Sequence, residues 1–342
     1  MTEPHHELAD LLSSLFARHP DSPPGATGLH RELWTTLQDT GLDRLTGGPS
    51  RDGGDAGWAE SAVLLRSIGA HAGRVPVAEN DLLAGWLLDR AELEAHDTLT
   101  RSAAMLDADG RASAVPWASG VDRLVLLWRK GNDWNVADVD VSDVTIEPRG
   151  NRAGEPRDSV AVDLTSLVGA AVPAGVAVEF VRRGALSRSH LMVGAMSTIT
   201  RIVVEHAGVR VQFGRPLAKF QAVQHLVADI AAEAALAEAT TAAAADLAGS
   251  HGFDDPRMGF AIAASRSVVG HATSVVVRNS HQVLGAIGFT QEHPLHRYTN
   301  RLLSWRGEYG SVRYYDDELT RAAADVGAKG LWPLLVTGRS KS

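Results

Sequence analysis

The spacing of apolar residues changes character twice along this chain. Up to about residue 95 it is helical: in HELADLLSSLFARH, Leu8, Leu11, Leu12 and Leu15 fall at i, i+3, i+4 and i+7, the stripe of an amphipathic helix. HRELWTTLQDTGL, WAESAVLLRSIGAHAG and NDLLAGWLLDRAEL predict three more helices, separated by Gly/Pro-rich loops. From about Thr98 to Val178 the runs shorten to RSAAMLD, DRLVLLWRK, WNVADVDV, VTIEP and SVAVDLT, split by Asp/Gly/Asn turns, which predicts a small β domain. Helical spacing returns over roughly 185–210, 216–249, 256–284 and 294–306, and Pro216 suits the first turn of the second of these. The Ala-rich stretch Ala228–Ala248 reads as a helix whose small side chains permit close packing. The expected fold is α+β: an N-terminal helical domain (1–95), a small middle β domain (96–178) and a C-terminal four-helix bundle (179–342).

Several polar residues interrupt these stripes. After Pro216 the face carrying Leu217, Phe220, Val227, Ala228 and Ala231 also carries Gln221 and Gln224. A buried amide without a partner costs about 1–3 kcal/mol, so each glutamine is expected to have one. Arg210 precedes the Phe213-Gly214 turn and the next helix is expected at once, placing a cation beside free helix N–H groups, a combination suited to a pyrophosphate or similar anion. Further on, Gln282 stands at a helix end, with Gly285 and Gly288 leaving room for backbone or a ligand ring. GAIG is not the G-x-G-x-x-G fingerprint and no strand precedes it, which disfavours a Rossmann site. The Gly-rich loop Thr46–Gly57 lacks the Lys-Ser/Thr ending of a P-loop and reads as a connector.

Composition narrows the chemistry. The chain has 342 residues and a formal net charge of -8, with no Lys/Arg-rich run, so a nucleic-acid partner is not expected. Absence of cysteine excludes disulfides and thiolate chemistry and fits a reducing compartment. No signal-like start and no membrane span are evident, so a cytoplasmic protein is expected. His293 and His296 supply two ligands without a third, and no metal site is expected; His5 and His6 read as solvated terminus. No G-x-S-x-G elbow occurs. Arg182, Arg183, Arg188 and Arg201 are candidate cations for an anionic ligand, and Trp305 and Trp332 read as core or interface filler.

RVQFGRPLAKFQAVQHLVAD and HQVLGAIGFTQEHPLHRY together resemble two signature segments of the acyl-CoA dehydrogenase family. The order of helices, β domain and helices resembles that family's fold. The resemblance implies FAD as cofactor, an acyl-CoA thioester as substrate, α,β-desaturation as reaction, a tetramer, and an electron-accepting flavoprotein. Carried over by position, Arg210, Gln212 and Phe213 resemble the arm that reaches FAD across a subunit interface. Gln282, Gly285 and Gly288 resemble a second contact, and Gln221 and Gln224 join the same group.

Departures from the family pattern concern the base. Where a Tyr-Glu-Gly-Thr motif is usual, the chain has Arg306-Gly307-Glu308-Tyr309-Gly310, so Glu308 is either the catalytic base or a solvated glutamate at a helix end. The alternative base position of the family falls near Gly184, where no acid occurs. The T-E-P-x-x-G-S-D run is missing, and Trp117 and Ala118 stand where relatives pass the flavin. These departures resemble short actinobacterial members that pair unlike subunits to desaturate steroid side-chain thioesters. Three readings follow: a dehydrogenase subunit with an unlike partner, a non-catalytic subunit completing its partner's FAD site, or a self-sufficient homotetramer using Glu308.

Overall fold

The computed structural model describes residues 3–19, 27–47, 54, 56–95 and 98–338. The connector Thr46–Gly57 and the His5 side chain lie largely outside them. Contacts divide the chain into two compact units: Met1–Ser61 with Gly73–Gly184, and Ala62–Ala72 with Ala185–Ser342.

In the first unit, α1 (Glu3–Arg18) and α2 (Arg31–Asp39) precede the start of α3 (Trp58–Ala70). Leu12, Leu15 and Phe16 of α1 are buried while Leu11 is exposed, so the stripe is rotated by about one residue from the expected one. NDLLAGWLLDR is helical, but Ala78–Gly85 is wound as a π-helix before it tightens into α4 (Trp86–Arg90). That wider turn carries three buried polar residues, Glu79, Asn80 and Asp81.

The β domain contains all five predicted runs, as β1 (Arg101–Met105), β3 (Arg123–Lys130), β4 (Asp133–Asp140), β5 (Thr145–Glu147) and β6 (Arg157–Ala161). Two further strands, β2 (Arg111–Pro116) and β7 (Ala170–Val172), had no sequence signal, being short, built of small residues, and in β2 broken by a bulge between Ala112 and Val115. The sheets run β1-β3-β4-β7 and β2-β6-β5. β3 is central and buried from Leu124 to Trp128 on both faces, which explains its unbroken apolar run. Trp117 and Ala118 are 4% and 0% exposed in this core, so their side chains serve packing.

Asp81 is a strongly perturbed acid. Its carboxyl accepts from Thr46 N at 3.0 Å and Thr46 Oγ1 at 2.8 Å. Burial nevertheless pushes it up to about 7, with the Thr46 bonds acting the other way and Asp43 adding repulsion. Because the folded value lies above the ordinary 3.8, the native state holds the proton more tightly. This group's contribution to stability is greatest below about pH 4 and falls, on the order of 1.4 kcal/mol per pH unit, as pH rises towards 7. Asp81→Asn is expected to flatten that decline and to be more stable than the wild type at pH 8. Urea midpoints at pH 5 and pH 8 measure it; equal pH slopes would remove Asp81 from the account.

The second unit is a helical bundle built from α3 after Ser61, α5 (Val176–Val209) from Ala185 onward, α6 (Gln221–His251), α7 (Met258–Leu284), α8 (Leu295–Trp305) and α9 (Val312–Thr337). The Ala-rich reading of α6 holds: Ala237, Thr241, Ala244, Ala245 and Ala248 form its buried face, and Thr241 meets Ser265 of α7 at 2.9 Å. α7 is long and apolar enough to cross a bilayer by length and composition, but here Ile262, Val269, Thr273, Val276 and Val283 are buried within the bundle. Pro216 does not open a helix. Positive φ at Phe213 and Gly214 folds a hairpin from β8 (Val211–Gln212) and β9 (Arg215–Pro216), and Leu217–Lys219 adds a 3-10 turn before α6. α9 was not expected. Ser311 caps it by accepting from Tyr314 N, and Gly327, at φ 60° and ψ -176°, breaks it.

Candidate functional site

The hairpin after α5 displays what the sequence placed there, in the open. Arg210 ends the helix, its N–H donating to His206 O at 2.9 Å, and Leu217 N donates back to Arg210 O at 2.8 Å. Because the hairpin and 3-10 turn intervene, the next helix does not begin beside Arg210. Arg210 and Gln212 are exposed, and Phe213 at the tip is 91% exposed. Phe220 anchors the hairpin, with the Phe213 ring edge-on at 6.1 Å and the Arg215 guanidinium 4.2 Å from its centroid.

Gln221 and Gln224 are exposed rather than buried on the stripe, since Leu217 and Phe220 are themselves only half-buried in this chain. Gln224 Nε2 donates to Ala218 O at 2.8 Å, which ties the first turn of α6 to the 3-10 turn. Gln282 is exposed on the last turn of α7. Gly285 ends that helix at φ +62° with open space where a Cβ would be. Gly288 has a different reason for being glycine: a Cβ there would lie 3.0 Å from Leu284 Cβ and 3.3 Å from Leu295 Cδ2, so it spaces helices. His281 stacks on Phe289 just beside it at 4.4 Å.

The two segments approach one another through histidines. Burial and then Arg210 lower the proton affinity of His206, while burial, His206 and His296 lower that of His293. His293 Nδ1 accepts from Leu295 N at 3.2 Å, and His296 Nδ1 lies 2.7 Å from His293 O, so both histidines serve the start of α8. No group of three metal-binding side chains occurs among the described residues.

Glu308 is not a solvated helix-end glutamate. Its Oε2 accepts from Arg188 Nε at 2.5 Å, with side chains 16% and 3% exposed respectively. This is a part-buried charge-assisted hydrogen bond between α5 and the turn after α8. The Arg188 guanidinium also lies 5.5 Å from the Tyr309 ring centroid. Of the other arginines considered as ligand cations, Arg183 pairs with Glu179 at 2.8 Å and lies 4.4 Å from the Trp86 centroid. Arg201 pairs with Glu205 at 3.1 Å on the surface. Trp305 is core and Trp332 is 73% exposed.

Residues 174–311, which include the hairpin, the α7 end and the Glu308 turn, match the acyl-CoA dehydrogenase C-terminal domain. The likeness is to the acyl-CoA dehydrogenase family. Over 184 residues, 52% of its length, the chain is 32% identical to the acyl-CoA dehydrogenase FadE34 of Mycobacterium tuberculosis. The first curated relatives are longer or matched in part, the alignments spanning 24% and 31% of their length. The acyl-CoA dehydrogenase IpdE2 of Mycolicibacterium smegmatis is 24% identical over 95% of this chain and all of its own length. In fold, the chain matches the ChsE4-ChsE5 complex of Mycobacterium tuberculosis with a TM-score of 0.83, at 21% identity, over 96% of this chain and 99% of that one. The acyl-CoA dehydrogenase fold therefore extends beyond the matched domain to nearly the whole chain.

Proposed function

We propose that this chain is an FAD-dependent subunit of an acyl-CoA dehydrogenase assembly that desaturates the α,β bond of an acyl-CoA thioester. The observation that carries the reading is the open hairpin of an acyl-CoA dehydrogenase C-terminal domain, with Arg210, Gln212 and Phe213 exposed together. A guanidinium beside amides suits a dinucleotide: Arg210 would hold the pyrophosphate, with Gln212, Gln221, Gln224 and Gln282 supplying amide donors and acceptors. FAD, when bound, accepts the β-hydrogen as hydride. The exposed apolar cluster Val209, Val211 and Phe213 supports burial against another subunit.

We propose further that the partner is a second, unlike acyl-CoA dehydrogenase subunit, that the acyl group is a steroid side chain or similar lipid, and that electrons pass to a flavoprotein in the cytoplasm. Resemblance to a chain of a two-component complex supports the first of these.

Arg210→Ala is expected to weaken flavin retention about tenfold, as loss of one charge-assisted contact does. Flavin occupancy after gel filtration measures this, and unchanged occupancy would remove Arg210 from the site.

The ion pair at Glu308 favours a second reading of the base. A carboxylate held by a buried guanidinium is the counter-ion of Arg188, and the proton acceptor then comes from the partner subunit. Glu308→Gln in the mixed assembly is expected to leave turnover close to wild type. Loss of the ~10²–10⁴-fold that a general base contributes would place the base in this chain instead.

A further inference from the structure

Arg266 stands in the middle of α7, is 2% exposed, and pairs with no carboxylate among the described residues. Burying a guanidinium without a counter-ion is costly, so its hydrogen bonds must compensate. Nη2 lies 3.3 Å from Trp305 O, 3.1 Å from Arg306 O, 2.9 Å from Glu308 O and 3.5 Å from Gly310 O. Nη1 lies 3.7 Å from Met192 Sδ of α5, and Nε is buried without a partner. Trp305 ends α8 and Arg306 is its C-cap, so the first two of these carbonyls carry the negative end of the helix dipole, and Trp305 O also accepts from Glu308 N at 3.1 Å.

A second side chain completes the arrangement. The Tyr315 hydroxyl donates to Tyr309 O, and its ring lies so close beneath Gly310 that a Cβ there would be 2.7 Å from Tyr315 Cε2. Burial pushes the Tyr315 hydroxyl up to about 12, against the pull of Arg266, so the proton needed for that bond stays in place. From Trp305 to Gly310, every carbonyl except that of Gly307 thus faces Arg266 or Tyr315. The turn includes Tyr309 at φ 56°, a left-handed conformation that needs holding from outside in a residue with a Cβ, followed by Gly310 at φ 121°, which glycine adopts freely.

We infer that Arg266 is the positioning residue of the Glu308 turn: it fixes the backbone of residues 305–310 from inside the bundle so that the Glu308 side chain meets Arg188. Arg188 holds the carboxylate, while Arg266 decides where that carboxylate is presented. A lysine cannot replace it fully, because its one nitrogen keeps the charge but cannot meet both the carbonyls and Met192 Sδ, as Nη2 and Nη1 do. The significance for turnover rests on reading this turn as part of an acyl-CoA dehydrogenase site; the geometry does not.

The test is the carboxyl signal of Glu308 in the full chain labelled with ¹³C-glutamate, assigned with Glu308→Gln and followed against pH. Arg266→Lys and Arg266→Met are expected to move the Glu308 titration midpoint in the same direction as Arg188→Met, with Arg266→Lys intermediate. Ser267→Ala, which removes only a bond to Asp316, is expected to leave it in place. Should Arg266→Met fail to fold, Arg266→Lys decides. An unshifted Glu308 signal in a folded Arg266→Lys protein would overturn the inference and leave Arg266 as filler. Since no turnover is read, loss of the proposed enzymatic function would leave this result standing, and the reverse.

Discussion

Arg188→Met is expected to destabilise the chain by up to about 3 kcal/mol, the lower end of the cost of breaking a buried ion pair, since the pair is part-buried. The expectation rests on the exposure of the two side chains, 3% for Arg188 and 16% for Glu308, at a separation of 2.5 Å. A solvent-exposed pair would contribute far less, as Arg201 with Glu205, both more than 60% exposed, is expected to do. Glu308→Gln should cost less than Arg188→Met, because the amide oxygen still accepts from Nε, although the guanidinium then lacks its counter-ion. Urea unfolding of the two variants measures this ordering. A loss within about 1 kcal/mol for Arg188→Met, the range of surface pairs, would mean that water reaches the pair in solution.

Gly194→Ala should be as damaging, for a reason that concerns shape alone. A Cβ on Gly194 of α5 would lie 2.0 Å from Arg66 O of α3, and one on Gly69 of α3 would lie 2.0 Å from Leu191 O of α5. The two backbones are in mutual contact, so neither substitution can be absorbed by turning a side chain. This close approach also explains why Ala62–Ala72 belongs to the bundle unit although its chain neighbours do not. Overpacking against rigid backbone is expected to cost about 3 kcal/mol. Gly208→Ala, in the exposed last turns of the same helix with nothing within 4 Å, is expected to stabilise by about 0.5–1 kcal/mol instead. Thermal melts of both variants decide it, and equal midpoints would contradict the packing argument.

These contrasts show which parts of the structure could be read from residue order. Helices α5, α7 and α8 and strands β1, β3, β4 and β6 were legible because each buries a face, or two, and burial imposes period on sequence; α6 was legible from its alanines, though its first half buries only Ile230. β2 and β7 were not, since small residues on short strands carry little period. α9 was missed although Val312, Tyr315, Leu319, Ala322 and Val326 recur at helical spacing. Its break at Gly327 and its internal Pro333 mask that period. Pro216 misled because proline satisfies a strand edge as well as a helix start; the positive φ values of Phe213 and Gly214 that decided between them are set by the hairpin.

The candidate site was legible in the same uneven way. Arg210, Gln212, Phe213 and Glu308 could be located because they stand in contiguous motifs. That Gln221 and Gln224 face outward could not, because a stripe shows which residues share a face but not what covers it. Arg188 was considered as a cation for a ligand and proved to be the partner of Glu308, 120 residues away in sequence. Arg266 and Tyr315 gave no motif at all; only a lone arginine within the apolar run AIAASRSVV hinted at a buried charge that something must satisfy.

The most direct test of the proposed function is the visible spectrum and native mass of the protein expressed alone and then together with a second acyl-CoA dehydrogenase subunit. The account predicts flavin absorption in an assembly that contains both chains, with the lone chain retaining little. Flavin bound at full occupancy in a homotetramer of this chain would contradict the shared site, and absence of flavin from both preparations would contradict the FAD assignment itself.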